Sequence, residues 1–359
     1  MMNTYDIQVI QSNISDFISD SDQWGISLSG TGAVYKLEQK FAALVDQPYA
    51  LSVANATSGL WAVFMAFGIH NSDVITTPYT WGGSLSGLIL AGNRPVFVDI
   101  NKGTLTLDPE KVERSITPKT RAILAVDIYG YPSEAHILRN IADKHGLMLI
   151  QDCAQSFGAY LRDQHTGWYA DASVFSLTVG KALFAGEGGM IITKNQELYD
   201  RLVWQTQHPH RQMRDIPHMP LNELAMNLRI HPMAAIWAEA SFEKALAEVT
   251  DHQGMCISIL ELLEKENLIR SKVPDRSTVK PSFHALTFEP SCKACKIESL
   301  LIENGWICTV CLPPIIEPIY RHEIYKQLSR SSRWARLMPC LVAEGQCRDR
   351  LRLVFPKHL

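Results

Sequence analysis

Leu147-Met148-Leu149-Ile150-Gln151-Asp152-Cys153-Ala154-Gln155 is the stretch whose reading decides the fold. Four apolar residues in unbroken succession describe a strand buried on both faces, and the carboxylate that follows marks where the strand leaves the core. Outward from it, short apolar runs recur at 50–54, 74–77, 95–98, 122–127, 172–177 and 190–193. Helical patterns separate them at 58–68, 85–91, 108–115 and 134–145. This alternation predicts an α/β chain with a mostly parallel seven-stranded sheet, whose ligand-binding groups gather at strand ends and helix starts. The apolar pattern of 233–249, opened by Pro232, reads as a long helix leading to a smaller C-terminal α/β layer, with 281–288 and 306–311 as strands around one helix. The expected division is a large domain over 1–245 and a small one over 246–359, the N-terminal segment being free to pack on the smaller layer.

Lys181 lies 29 residues past Asp152, inside Phe-Ser-Leu-Thr-Val-Gly-Lys-Ala-Leu-Phe-Ala-Gly-Glu-Gly-Gly-Met-Ile-Ile-Thr, residues 175–193. A lysine after a strand and an aspartate at a strand end are ordinary in an α/β protein, so the pair alone decides little. Three further features add to it. Asn55-Ala56-Thr57-Ser58-Gly59 opens a nearly uninterrupted apolar helix whose start suits a phosphate. Gln155 offers an amide beside the same strand end as Asp152, placed to hydrogen-bond a ring hydroxyl. Thr76-Thr77-Pro78-Tyr79-Thr80-Trp81 sets an indole where it can stack on a flat heterocycle. Together these describe a site for pyridoxal 5'-phosphate. The amine bonds to the cofactor aldehyde, and the carboxylate keeps the pyridine nitrogen protonated so that the ring accepts electrons from a substrate carbanion.

The order Asn55-Ala56-Thr57-Ser58-Gly59, Pro78-Tyr79-Thr80-Trp81, Pro95-Val96-Phe97-Val98-Asp99, Asp152-Cys153-Ala154-Gln155, Phe175-Ser176 to Lys181 and Gly186-Glu187-Gly188-Gly189 resembles the DegT/DnrJ/EryC1/StrS family of fold-type I aminotransferases, over about 25–325. The resemblance implies that Lys181 bonds to the cofactor, Asp152 meets the pyridine nitrogen, Gln155 lies near the ring oxygen and Trp81 covers the ring face. Thr57, Ser58 and Ser176 would hold the phosphate. Asn227, in Asn-Leu-Arg-Ile, matches a family segment whose asparagine reaches the phosphate of the neighbouring subunit, which implies an obligate homodimer. Two departures stand out. Thr178 and Gly180 occupy positions where the family often carries His and Thr, and Leu228 replaces a tyrosine. Both bear on the substrate more than on the cofactor.

At 359 residues and a net charge of -3, the chain can bury a sizeable core and has no charge excess to attract nucleic acid or an anionic membrane. No 18-residue apolar stretch and no basic-then-apolar leader are present, so a cytoplasmic location is expected. Cys292-Lys-Ala-Cys295 and Cys308-Thr-Val-Cys311, separated by 12 residues, approach zinc-ribbon spacing. The helical pattern between them and the strand pattern over the second pair favour reduced thiols and no metal, since residues three apart on a strand face opposite ways.

Residues 204–231 form the least periodic stretch. A long irregular segment is often functional, so His208, His210, Arg211 and Arg229 are candidate contacts to an anionic substrate group, with Arg229 standing out only by its place beside Asn227. The histidine pair has no nearby cysteine and reads poorly as a metal site. The expected activity is transfer of an amino group from an amino acid, glutamate or glutamine, to a keto-sugar, nucleotide-linked sugar or cyclitol. Lys181 would move a proton from substrate to cofactor while Asp152 sustains the electron sink. The rivals are elimination or dehydration on the same scaffold and a noncatalytic regulatory role. Lys181 argues against the family's dehydratases, which characteristically carry histidine there, and the joint presence of Lys181, Asp152 and Gln155 argues against a binding protein.

Overall fold

The computed structural model describes residues 4–275, 277–331 and 340–355; the outermost ends of both expected domains, 1–3 and 356–359, lie outside them. Seven strands form one sheet in the spatial order Tyr49–Val53, Gly189–Thr193, Ala172–Ser176, Met148–Asp152, Thr120–Val126, Asp73–Thr76, Arg94–Phe97. Six run parallel, and Gly189–Thr193 runs against both its neighbours. Every strand expected of this sheet is present, its ends shifted by at most two residues. Alternate side chains feed two cores: Ala122, Leu124 and Ile150 pack with the helix Ala56–Ala66, while Ile123, Ala125 and Leu149 pack with the helix Ala135–His145. Helices on both faces explain why the runs are apolar throughout rather than alternating.

The smaller layer is an antiparallel sheet of Leu286–Phe288, Leu351–Val354 and Thr309–Cys311, with the helix Ala294–Glu303. Its central strand, Leu351–Val354, was not expected from sequence, because Leu-Arg-Leu-Val is too short a pattern to stand out. The expected strand 281–288 shrinks to Leu286–Phe288, since Phe283 takes a left-handed conformation at φ 51°.

The helix Pro232–Lys265 runs 34 residues, well past the expected end at 249. Ala234, Ala235, Phe242 and Val249 pack in the cluster around Phe41, whereas Cys256, Ile259, Leu260 and Leu263 join the core of the smaller layer. The expected boundary at 245/246 therefore falls inside one helix. The N-terminal helix Thr4–Ser19 places Phe17 and Ile14 in the cluster of Phe41 and Phe242. That corrects the expectation that this segment packs on the smaller layer: its apolar face matches the first half of the long helix. Among the described residues, no helix is long and apolar enough to cross a membrane.

Candidate active site

The parallel strands deliver their C-terminal ends to one edge of the sheet, where a cavity of about 600 Å³ opens. Thr57, Trp81, Asp152, Gln155, Ser176 and Lys181 all line it. Six candidates drawn from separate parts of the sequence thus share one chamber.

Two buried aspartates border the cavity, and their hydrogen bonding separates them. Asp127, at the end of Thr120–Val126, accepts from Ser133 N (2.8 Å), Ser133 Oγ (2.7 Å), Ser156 Oγ (2.8 Å), both ways from Gln151 Nε2 (3.0 Å each) and from Thr166 Oγ1. Its lone pairs are spent on the protein. Asp152 accepts only from Ser84 Oγ (2.6 Å) and Ala154 N (3.0 Å), which leaves capacity for a ligand. Burial pushes its carboxyl up, against the opposing pull of Ser84, Ala154 and Lys181. A protonated ring nitrogen against Asp152 would favour the charged form.

Lys181 sits in a hairpin that leaves the sheet after Ser176. Leu177 N donates to Gly188 O (2.9 Å), Ala185 N to Leu177 O (2.9 Å) and Val179 N to Gly186 O (3.2 Å), and Gly180 takes φ 92° immediately before the lysine. That left-handed residue accounts for glycine where the family often has threonine. Burial lowers the Lys181 amine, with Asp152 working the other way, which makes the neutral, nucleophilic form easier to reach.

The phosphate end is built by the helix Ala56–Ala66. Asn55, in extended conformation, caps it by accepting from Ser58 N at 2.8 Å. Ser58 Oγ donates to Asn55 O (2.9 Å), so Ser58 secures the cap and does not line the cavity. Gly189, on the antiparallel strand, lies so close that a Cβ there would stand 2.7 Å from Asn55 C and 2.8 Å from Ala56 N. Only glycine permits the approach.

Gln155 Oε1 accepts from Tyr129 N (2.6 Å), which turns its Nε2 loose as a donor toward the cavity. Trp81 is 67% exposed at the mouth, an indole with one face uncovered. Sequence reasoning missed Ser84, which steadies Asp152, and His284, which reaches the cavity from the smaller layer. The His284 side chain is exposed toward the cavity, yet the protein packed around it, with the Lys181 charge, lowers it to about 4. Ser84 is the third residue of the largely apolar helix Gly82–Leu90 and carries no motif to mark it, and nothing in sequence links residue 284 to Lys181.

The loop candidates lie elsewhere. Arg211 is not open to any substrate: its side chain is 1% exposed and donates to Glu38 Oε1 (2.9 Å) and Oε2 (2.8 Å) and to Asp215 Oδ2 (3.0 Å). This corrects its assignment as a substrate contact. His208 caps the helix Pro209–Asp215, accepting from His210 N at 3.2 Å, and neither histidine borders the cavity. Asn227 and Arg229 also lie outside it, joined by Arg229 Nη1 donating to Asn227 Oδ1 at 2.6 Å. Among the described residues, no three metal-ligating groups cluster, and Cys311 Sγ accepts instead from Arg352 Nε (3.2 Å).

The residues present fit pyridoxal phosphate: a buried amine, an underused carboxylate, a capped helix start, a free amide donor and an open indole. The sequence profile of the DegT/DnrJ/EryC1/StrS aminotransferase family matches residues 10–341. GDP-perosamine synthase of Escherichia coli O157:H7 is 35% identical over 169 residues, which cover 47% of this chain and 46% of that protein. A putative L-glutamine:3-amino-2,3-dideoxy-scyllo-inosose aminotransferase of Streptomyces kanamyceticus is 38% identical over 164 residues, 45% of this chain and 39% of that one. The chain thus spans less than half the length of these curated relatives. Among solved structures, an aminotransferase of the same family from Brucella abortus superposes with a TM-score of 0.80 at 20% identity, covering 97% of this chain and 90% of that one. DesI in the presence of its TDP-sugar product gives 0.77 at 26% identity, over 96% and 84%. With the profile matching nearly the whole chain, this protein belongs to the DegT/DnrJ/EryC1/StrS aminotransferase family.

Proposed function

We propose that the chain is a pyridoxal-phosphate-dependent aminotransferase, moving an amino group from glutamate or glutamine to a keto-sugar, nucleotide-linked sugar or cyclitol in a biosynthetic pathway. The observation that carries this reading is the convergence of Lys181 and Asp152 in one cavity with a helix start fit for phosphate. The names of the two curated relatives support the substrate range.

When bound, the cofactor supplies an electron sink. Asp152 would hold the proton on its ring nitrogen, Gln155 would donate through Nε2, the Trp81 indole would cover the ring, and Thr57, Ser176 and the first turn of Ala56–Ala66 would take the phosphate. Lys181, its amine lowered by burial, takes the proton from the substrate carbon and returns one on the other side of the transfer.

The working unit in this reading is a homodimer, with Asn227 reaching the partner's cofactor. Asn227 is exposed and flanked by Met226 and by Leu224, which is 92% exposed, an apolar surface that a second copy would cover. A cytoplasmic setting suits the eight free cysteines.

The test is a half-reaction screen. Amino donors are added singly to the cofactor-loaded enzyme and the absorbance of the lysine-bound form is followed, with borohydride reduction placing that bond on Lys181 by peptide mapping. An adduct on another lysine, or no spectral response to any donor, sinks the reading.

A further inference from the structure

Lys181 has a second cavity at its back. A chamber of about 300 Å³ lies between residues 180–182 of the hairpin and the helix Pro232–Lys265, which lines it with Ala245, Glu248, Val249 and His252. Residues 282–284 close it from the smaller layer. Lys181 and His284 line this chamber and the front cavity alike, so the two side chains form the partition between them. The rim is open: Gly180 and Ala182 are exposed, and the Glu248 side chain, 57% exposed, pairs with Lys244 at 3.4 Å. Polar walls around such a volume suit water.

The backbone goes out of its way to put His284 in that partition. Phe283, just before it, is buried yet takes the left-handed conformation at φ 51°, which a bulky residue rarely adopts. Ser282 N donates to Gly130 O (3.0 Å), Ser282 Oγ to Gln155 O (2.9 Å) and His252 Nε2 to Phe283 O (3.2 Å), and the Phe283 ring meets Tyr131 edge-on at 5.5 Å. The turn brings one side chain out: His284 is exposed, whereas 281–283 and 285–289 are buried. Strain of this kind concentrates where a fold must aim a residue. The loop is moreover clamped to the backbone of Gln155, which lines the front cavity.

We propose that Lys181 trades the substrate proton with water through this rear chamber, past His284, so that the proton delivered to the cofactor carbon comes from solvent. This rests on the aminotransferase reading and adds the route and fate of the proton. With cofactor and donor filling the front, the rear is where the amine meets water. The amine takes the proton as the donor C–H bond breaks and becomes an ammonium. It passes one proton to water in the chamber, takes another back, and gives that one to the cofactor carbon. The His284 ring, donor at one nitrogen and acceptor at the other, links the amine to that water. Were the rear sealed, the ammonium would keep its three protons, and about one transfer in three would return the original.

The experiment uses the assembled enzyme, so that a second copy seated over the chamber is tested with it. Pyridoxal-phosphate-loaded enzyme is mixed with a stoichiometric amount of glutamate or glutamine deuterated at the α carbon, and the deuterium in the pyridoxamine phosphate formed is read by mass spectrometry, a ratio independent of rate. None is expected from the unaltered enzyme. Ala182→Trp alters an exposed hairpin residue and fills the mouth of the chamber, and His284→Leu removes the polar link; both are expected to raise the deuterium toward about one third. A second arm needs no turnover: with pyridoxamine phosphate bound, Lys181 is unbonded, and its methylation by formaldehyde and cyanoborohydride is mapped by peptide. Ala182→Trp is expected to cut that labelling several-fold. Failure of both donors to react speaks against the aminotransferase reading, whereas the methylation result decides rear access by itself. Deuterium carried over by the unaltered enzyme, full washout retained in Ala182→Trp or His284→Leu, or equal methylation with and without Ala182→Trp overturns the proposal.

Discussion

Replacing Arg211 by methionine tests whether the irregular stretch after residue 204 serves the substrate or the fold. Arg211 spends both Nη atoms on Glu38 and its Nε on Asp215, and Tyr199 Oη lies 3.3 Å from Nη2. Burial opposes its charge, yet Glu38, Tyr199 and Asp215 together raise the guanidinium above its ordinary range, so it is permanently ionised. In Arg211→Met, the Glu38 carboxylate stays buried with only Ser52 N (2.8 Å) and Ser52 Oγ (2.7 Å), both on Oε1. Removing one partner of such a pair costs about 3–5 kcal/mol, or roughly two to four decades in the folding constant. The double variant Glu38→Leu with Arg211→Met removes both charges and is expected to recover most of that loss, to within about 1–2 kcal/mol of the starting protein. Urea denaturation midpoints of the four proteins give the cycle, and donor KM is measured at a temperature where all are folded. A single variant that keeps its midpoint and instead raises the donor KM tenfold would falsify the structural role.

Three other outcomes are expected. Asp152→Asn keeps Ser84 and Ala154 as partners but slows single-turnover proton transfer by on the order of 10²-fold or more, and a near-normal rate removes Asp152 from the ring nitrogen. His165 is buried, accepts from Gly158 N at Nε2 (3.0 Å) and donates from Nδ1 to Thr166 O (2.7 Å), and burial holds it at about 4. Between the ordinary 6.5 and about 4, the unfolded chain therefore takes up a proton that the native chain refuses. Its contribution is intact above 6.5 and erodes by up to about 3 kcal/mol as pH falls toward 4; His165→Gln should flatten that slope, and parallel midpoint-versus-pH curves refute the account. Mixed dimers of Lys181→Ala and Asn227→Ala chains should regain activity that neither parent has, since one site then holds both residues; full activity in Asn227→Ala alone, or no recovery from properly dimeric mixtures, rules out a shared site.

The sheet was legible because its strands are buried on both faces: runs such as Ile150 and its neighbours carry no polar interruption, and their ends fall where Asp152 and Thr57 were sought. Residues that reach the site from afar were not legible. His284 and Pro314 belong to the smaller layer, and only the close packing of that layer on Tyr129 and Pro78 brings them to the cavity. Arg211 failed for a local reason. The segment around it looked irregular, but His208 as cap, Pro209 in the first turn and the Arg211–Asp215 spacing of four are the marks of a short helix with one inward arginine. A buried partner as distant as Glu38 leaves no trace in the neighbouring sequence.

The helix Pro232–Lys265, about 50 Å long at the usual rise, acts on the two layers as a splint. A cut at 245/246 would strand Phe242 on one fragment and Cys256 to Leu263 on the other, each with half of a rod and no surface to cover it. Neither half of the chain is thereby an independent folding unit, and separately expressed pieces would aggregate through those faces. One continuous rod, seated in both cores, couples the two layers, so a shift in one is felt by the other.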